Sequence, residues 1–116
     1  MADFIITDTR FINVWDGRVV YAGSIVNTRP DGQDAGYITI IYTEQWDEDA
    51  IGKYYVIHYK NLTAATVDIA GALKSGDPDF DGAGGGKTTQ AEAESAYTVA
   101  NGYFGDYSSC HKMLEP

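Results

Sequence analysis

Lys53-Tyr54-Tyr55-Val56-Ile57-His58-Tyr59-Lys60, with its return Thr66-Val67-Asp68-Ile69-Ala70, is the longest unbroken β signal in the chain. β-Branched and aromatic residues fill both arms, and Asn61-Leu62-Thr63-Ala64-Ala65 supplies a polar break between them. At period two, Tyr55, Ile57 and Tyr59 share one face, and Tyr54, Val56, His58 and Lys60 share the other. Both faces are rather apolar. The pattern predicts a central strand covered on two sides near its start and opening to water near Lys60.

Toward the N-terminus the β texture continues. Tyr37-Ile38-Thr39-Ile40-Ile41-Tyr42-Thr43 reads as a strand that ends in the acidic segment Glu44-Gln45-Trp46-Asp47-Glu48-Asp49. Arg29-Pro30-Asp31-Gly32 reads as a turn, with Pro pre-set for its first corner. Gly23 interrupts the run from Arg18 to Asn27, as a bulge or bend does in a strongly coiled sheet. Asp16-Gly17 between two β runs is a strong hairpin signal, because a type I′ turn needs positive φ at both positions. Phe4-Ile5-Ile6-Thr7 opens the series.

Toward the C-terminus the composition changes. Residues 75–88 are rich in Gly and Asp and read as a loop between the sheet and a helix. Thr89-Gln90-Ala91-Glu92 has a capping-box pattern, with Thr89 as the cap and Glu92 reaching back. Helix formers and an apolar stripe then predict a helix over about 90–101, stopped by Asn101-Gly102. Tyr103, Phe104 and Tyr107 lie just beyond and are expected to pack the tail onto the sheet.

The whole chain of 116 residues reads as a single domain, long enough to build one core without staples. Strands are expected over about 4–73, six or seven in all. The net charge of -9 argues against nucleic acid and anionic lipid as partners, since both need clustered Lys and Arg. With Cys110 as the single cysteine, no internal disulfide forms. No apolar run is long enough to span a membrane as a helix, and Met1-Ala2-Asp3-Phe4 does not begin a signal peptide.

Tyr21-Ala22-Gly23-Ser24-Ile25, Gly36-Tyr37-Ile38-Thr39-Ile40 and Gly52-Lys53-Tyr54-Tyr55-Val56-Ile57, set in consecutive strands ahead of one late helix, resemble a small calycin-type or lipocalin-like β-barrel. The nearest likeness is to such domains of bacterial exported lipoproteins. The Gly-x-Trp signature of typical lipocalins is missing, and the chain is shorter than theirs. The resemblance implies a barrel that holds a ligand or a partner, in an extracytoplasmic setting. The fold class expected is therefore mainly β, a small antiparallel barrel with one C-terminal helix. A short β-sandwich is the alternative.

Nine Tyr, two Trp and four Phe give an aromatic surplus. Tyr combines a large buried ring with a polar tip, which suits both cores and recognition surfaces. The residues expected to line a ligand site at one barrel end are Trp46, Tyr21, Tyr42, Tyr55 and Tyr59. A second candidate is Asp77-Pro78-Asp79-Phe80-Asp81-Gly82, where Asp77, Asp79 and Asp81 have the spacing of the first half of a calcium loop. The loop's twelfth position is Thr88 rather than the Glu that completes such a site. Gly84-Gly85-Gly86-Lys87-Thr88-Thr89 resembles a phosphate loop in order alone, because its first glycine position is Asp81. His58 reads as a packed or hydrogen-bonded strand histidine, and His111 and Cys110 lie together near the chain end. No complete catalytic set is present. The sequence predicts a non-catalytic binding domain, holding a small apolar molecule or a protein. The alternative is a calcium-stabilised structural or adhesive module, and an enzyme built on His58 comes third.

Overall fold

The computed structural model describes residues 2–15, 17–45, 48–72, 86–105 and 107–111. Seven strands follow one another as β1 (Ala2–Ile6), β2 (Arg10–Trp15), β3 (Arg18–Pro30), β4 (Gly36–Gln45), β5 (Tyr54–Lys60), β6 (Thr66–Gly71) and β7 (Ser108–His111). One helix, α1 (Gln90–Ala96), lies between β6 and β7. The strands form one sheet in chain order, each antiparallel to its neighbour, and the sheet curls into a nearly closed barrel. A two-sheet sandwich is thereby set aside.

The curl follows from how the side chains meet. The Tyr21 and Tyr55 rings lie 5.7 Å apart, although β4 runs between their strands. On a flat sheet two strand spacings would put their strands about 10 Å apart. Their shared face is therefore concave. Register places Ile40 across from Ile25 and Tyr55, and Ile57 across from Ile38 and Gly71, on this same inner face. Phe11, Ile40, Ile57 and Ile69 are almost fully buried there. Gly23 serves the bend, as its sequence position suggested: the β3–β4 register shifts between Ala22 and Gly23. A Cβ on Gly23 would sit 2.7 Å from the Ile41 carbonyl oxygen.

β5 is covered on both faces, as its pattern predicts. The outer side chains Val56 and His58 are buried alongside the inner Tyr55 and Ile57, and burial relaxes toward Lys60. The outer cover is α1 and the segment after it. Thr89 caps α1 by accepting from the Glu92 amide at 3.1 Å. The Glu92 carboxylate accepts from Thr88 Oγ1. The helix ends at Ala96, five residues short of the expected stop at 101. Asn101 still acts at that end, because its side-chain amide donates to the carbonyls of Ser95 and Ala96. β7 lies beyond the expected strand range. It pairs with β6 from Thr66 opposite His111 to Ile69 opposite Ser108.

Candidate binding surfaces

The barrel has two ends. The turns after β1, β3 and β5 lie at one of them, and the segments after β2, β4 and β6 at the other. Three of the five aromatic residues picked out as ligand-binding meet in the second end. Tyr42 stacks on Tyr55 at 5.4 Å, and both rings stand edge-on to Tyr21. Tyr97, just past α1, reaches Tyr55 at 5.6 Å and is itself fully buried. Phe11 and Phe4 extend the cluster toward β1. Burial pushes the phenols of Tyr21, Tyr42, Tyr55 and Tyr97 well above the usual tyrosine range, and their mutual proximity adds to the shift for Tyr42 and Tyr55. Asn13 bonds the Tyr21 hydroxyl, Gln45 that of Tyr42 and the Ala72 backbone that of Tyr55. These side chains fill this end of the barrel.

Tyr59 lies at the opposite end, its hydroxyl over Gly36, where a Cβ would meet it at 2.6 Å. Ile25, Tyr59, Val67 and Cys110 are half-buried on the inner face here, and Ile6 and Leu62 are exposed. The turns around them are cross-tied: the Ile25 amide donates to the Thr9 carbonyl, and the Leu62 amide to that of Asp34. Trp46 lies outside the described residues, as do Asp77, Asp79 and Asp81 of the acidic loop. Among the described residues, no group of three His, Cys, Asp or Glu is placed to hold a metal ion.

The outer face carries two polar arrays. In the first, His58 Nε2 lies 2.8 Å from Asp31 Oδ2, and Nδ1 lies 2.8 Å from the Tyr107 hydroxyl. With its proton on Nε2, the neutral imidazole donates to Asp31 and accepts from Tyr107, so both neighbours are satisfied. Tyr37 and Phe104 pack edgewise and tilted on the ring, and Lys60 Nζ sits 3.9 Å over the Tyr107 ring. Carboxylate, imidazole and hydroxyl in line is the order that activates a nucleophile. Burial, Tyr37 and the Asp31 charge push the Tyr107 phenol above the usual tyrosine range. The array clasps the β3–β4 turn and the segment before β7 onto β5.

In the second array, Glu94 of α1 accepts from Asn27 Nδ2 and Thr39 Oγ1, both at 2.8 Å, and from Gln90 Nε2 at 3.2 Å. Burial raises the Glu94 carboxyl, but these three donors and the nearby Arg29 charge together outweigh it and hold the group below the usual glutamate range. Arg29 lies over the Tyr37 ring at 4.7 Å.

The rest of the outer surface is different. On β1 to β3, Ile5 pairs with Ile12 and Val14 with Val19, side by side on the face turned away from the core. Ile5 and Val19 are about half exposed, at 47% and 50%. Among the described residues β1 is hydrogen-bonded to β2, and its other edge lies against β7. Neither this edge nor Asp31 stood out in the sequence as part of a site, and Glu94 did so only as a stand-in ligand for the acidic loop. The one available signal was the isolated apolar run Phe4-Ile5-Ile6 at the start of the sheet. Comparison of the chain with family models, with curated proteins and with solved structures finds no match.

Proposed function

We propose that the chain is a non-catalytic binding domain and that what it binds is a polypeptide. The observation that carries this reading is the apolar outer face of β1–β3, where Ile5 and Val19 stay about half exposed beside the half-buried Ile12 and Val14. The opposite outer face has its cover in α1 and the segment through Tyr107. A polypeptide fits better than a small apolar molecule, because the inner face at one barrel end is filled by Phe11, Tyr21, Tyr42 and Tyr55. A barrel of about this size is either filled by side chains or holds one small ligand, and here Phe11, Tyr42 and Tyr55 are almost fully buried inside it. The net charge of -9 favours a basic partner and speeds its approach.

Native mass spectrometry of the purified protein tests the choice of ligand class. The expected result is a bare mass, with and without added calcium. A stoichiometric organic adduct would transfer the reading to a small-molecule carrier. A single calcium adduct that disappears in Asp79→Ala would transfer it to a calcium-stabilised module.

A further inference from the structure

The Asp31–His58–Tyr107 array is built more tightly than a clasp alone requires. His58 Nε2 and Nδ1 each lie 2.8 Å from an oxygen, of the Asp31 carboxylate and the Tyr107 hydroxyl respectively. The imidazole is almost fully buried, with Tyr37 packed on it at 4.7 Å and Phe104 at 5.4 Å. Phe104 takes up this position with a φ of 67°, a left-handed conformation that bulky side chains rarely adopt. Backbone held in such regions is concentrated where a functional group must be fixed in place. The ring is thus locked, one nitrogen aimed at a carboxylate and the other at a hydroxyl. In that arrangement imidazole takes the hydroxyl proton as the oxygen attacks, and the carboxylate stabilises the imidazolium that forms. Attack through a general base needs no preformed phenolate, so the upward push on the Tyr107 phenol does not oppose it. Tyr107 is only half-buried, which leaves part of it open to solvent.

We propose that Tyr107 is an acceptor for acyl groups, taking them from an activated ester with His58 as general base and Asp31 as the group that orients it. Tyr107 Oη attacks the ester carbonyl carbon while its proton passes to His58 Nδ1. The tetrahedral intermediate then collapses, the bond to the leaving oxygen breaks, and that oxygen departs with the electron pair and recovers the proton from Nδ1. The products are an aryl ester on Tyr107 and an alcohol. The net charge of -9 disfavours anionic phosphoryl donors, so a neutral acyl donor is the class that fits. The titratable and charged groups around His58 are Asp31 from the β3–β4 turn, Tyr107 from the segment before β7, and Tyr37 from β4 with Arg29 over its ring. Lys60 of β5 lies over the Tyr107 ring. Once acylated, Tyr107 has no proton to give Nδ1, so the hydrogen bond that ties the segment before β7 to β5 is lost. The modification happens once per molecule and is independent of the polypeptide-binding reading.

The test uses p-nitrophenyl acetate on the full chain, with digestion and mass spectrometry to locate and time the acetyl groups. Acetylation of Tyr107 should run about a hundredfold faster than that of Tyr54, a half-buried tyrosine on the same strand as His58. His58→Gln keeps a donor for Asp31 and an acceptor for Tyr107 but has no basic nitrogen. It should bring Tyr107 down to the rate of Tyr54 and flatten the pH profile of its labelling, while the β dichroism stays as it was. Asp31→Asn, at a part-exposed carboxylate, should slow the labelling as well, and it carries the test if His58→Gln does not fold. Tyr107 reacting no faster than Tyr54 would overturn the proposal and leave the array a clasp. Fast acetylation of Tyr107 that survives loss of the imidazole or of the carboxylate would overturn it too. An acetyl group found on Lys60 instead, and still found there in Tyr107→Phe, would make the lysine the acceptor and remove the tyrosine from the reaction.

Discussion

At the scale of single residues, the fold depends on places where a side chain has been left out. Gly71 lies on the inner face of β6, and a Cβ there would meet the Tyr55 hydroxyl oxygen at 2.6 Å. The next atoms, the Tyr21 hydroxyl and a Tyr55 ring carbon, are both at 3.5 Å, which is ordinary contact. Gly71 has no left-handed backbone to relieve, so its role is space for one oxygen. Gly71→Ala should therefore destabilise the protein by about 1–3 kcal/mol, the usual cost of overpacking a full core. In a Tyr55→Phe background the oxygen is gone, and the same substitution should cost clearly less. Urea unfolding of the four proteins of this cycle measures the coupling. Equal costs in both backgrounds would mean that Gly71 is needed for some other reason. Glu94 makes the converse case, a side chain whose presence completes its neighbours. Glu94→Ala leaves Asn27 without its acceptor and leaves Thr39, which is fully buried, a donor with no partner, at a cost of about 1–3 kcal/mol.

At the scale of elements, Glu94 is the polar link between α1 and the sheet, and that link titrates. Its carboxyl is held low in the folded protein, so the stability it contributes is complete above the unfolded glutamate value. It is lost as pH falls through the lower folded value. Far-ultraviolet dichroism against pH should show acid weakening that Glu94→Gln flattens. If Glu94→Gln kept the full acid dependence, other carboxylates would have to carry it. Asp68, held low by Asn61, then Ser109 and Lys60, is the next to examine. The elements also show where local sequence was enough. β5 and β6 were legible because their alternation matches two real faces, and Gly23 was legible as a bend. β7 was not, because Ser108-Ser109-Cys110-His111 has no alternation of its own. It is a strand because β6 offers an unpaired edge, which is tertiary context overriding propensity. α1 stops early because Tyr97 leaves the helical path, at ψ 84, and is buried against Tyr55. The His58 clasp depends on Asp31, 27 residues earlier, and on Tyr107, 49 residues later, a convergence that only the finished barrel creates.

At the scale of the whole molecule, the aromatic surplus could be counted from the sequence but not sorted. Tyr21, Tyr42, Tyr55 and Tyr59 are alike as residues. Curvature and register place three of them in one end and the fourth in the other. That sorting has a consequence at high pH. An unfolded tyrosine ionises near 10, whereas Tyr21, Tyr42 and Tyr55 are held neutral well beyond it, chiefly by burial. A raised folded value means full stability below 10 and progressive loss above it, because only the unfolded chain releases those protons. Three protons correspond to a slope of about 4 kcal/mol per pH unit, enough to erase an ordinary domain's stability within a few units. Tyr97 acts in the same direction. Alkaline titration should therefore show exposed tyrosines ionising first, without structural change. The buried group should then ionise together with the loss of β dichroism, in one cooperative step. Tyr55→Phe should make that step shallower by about one proton. If all nine tyrosines ionised smoothly near the ordinary value while the β signal persisted, the end holding Tyr21, Tyr42 and Tyr55 would have to be open to water. The preference for a polypeptide over a small ligand would then lose its footing, since it rests on that end being filled.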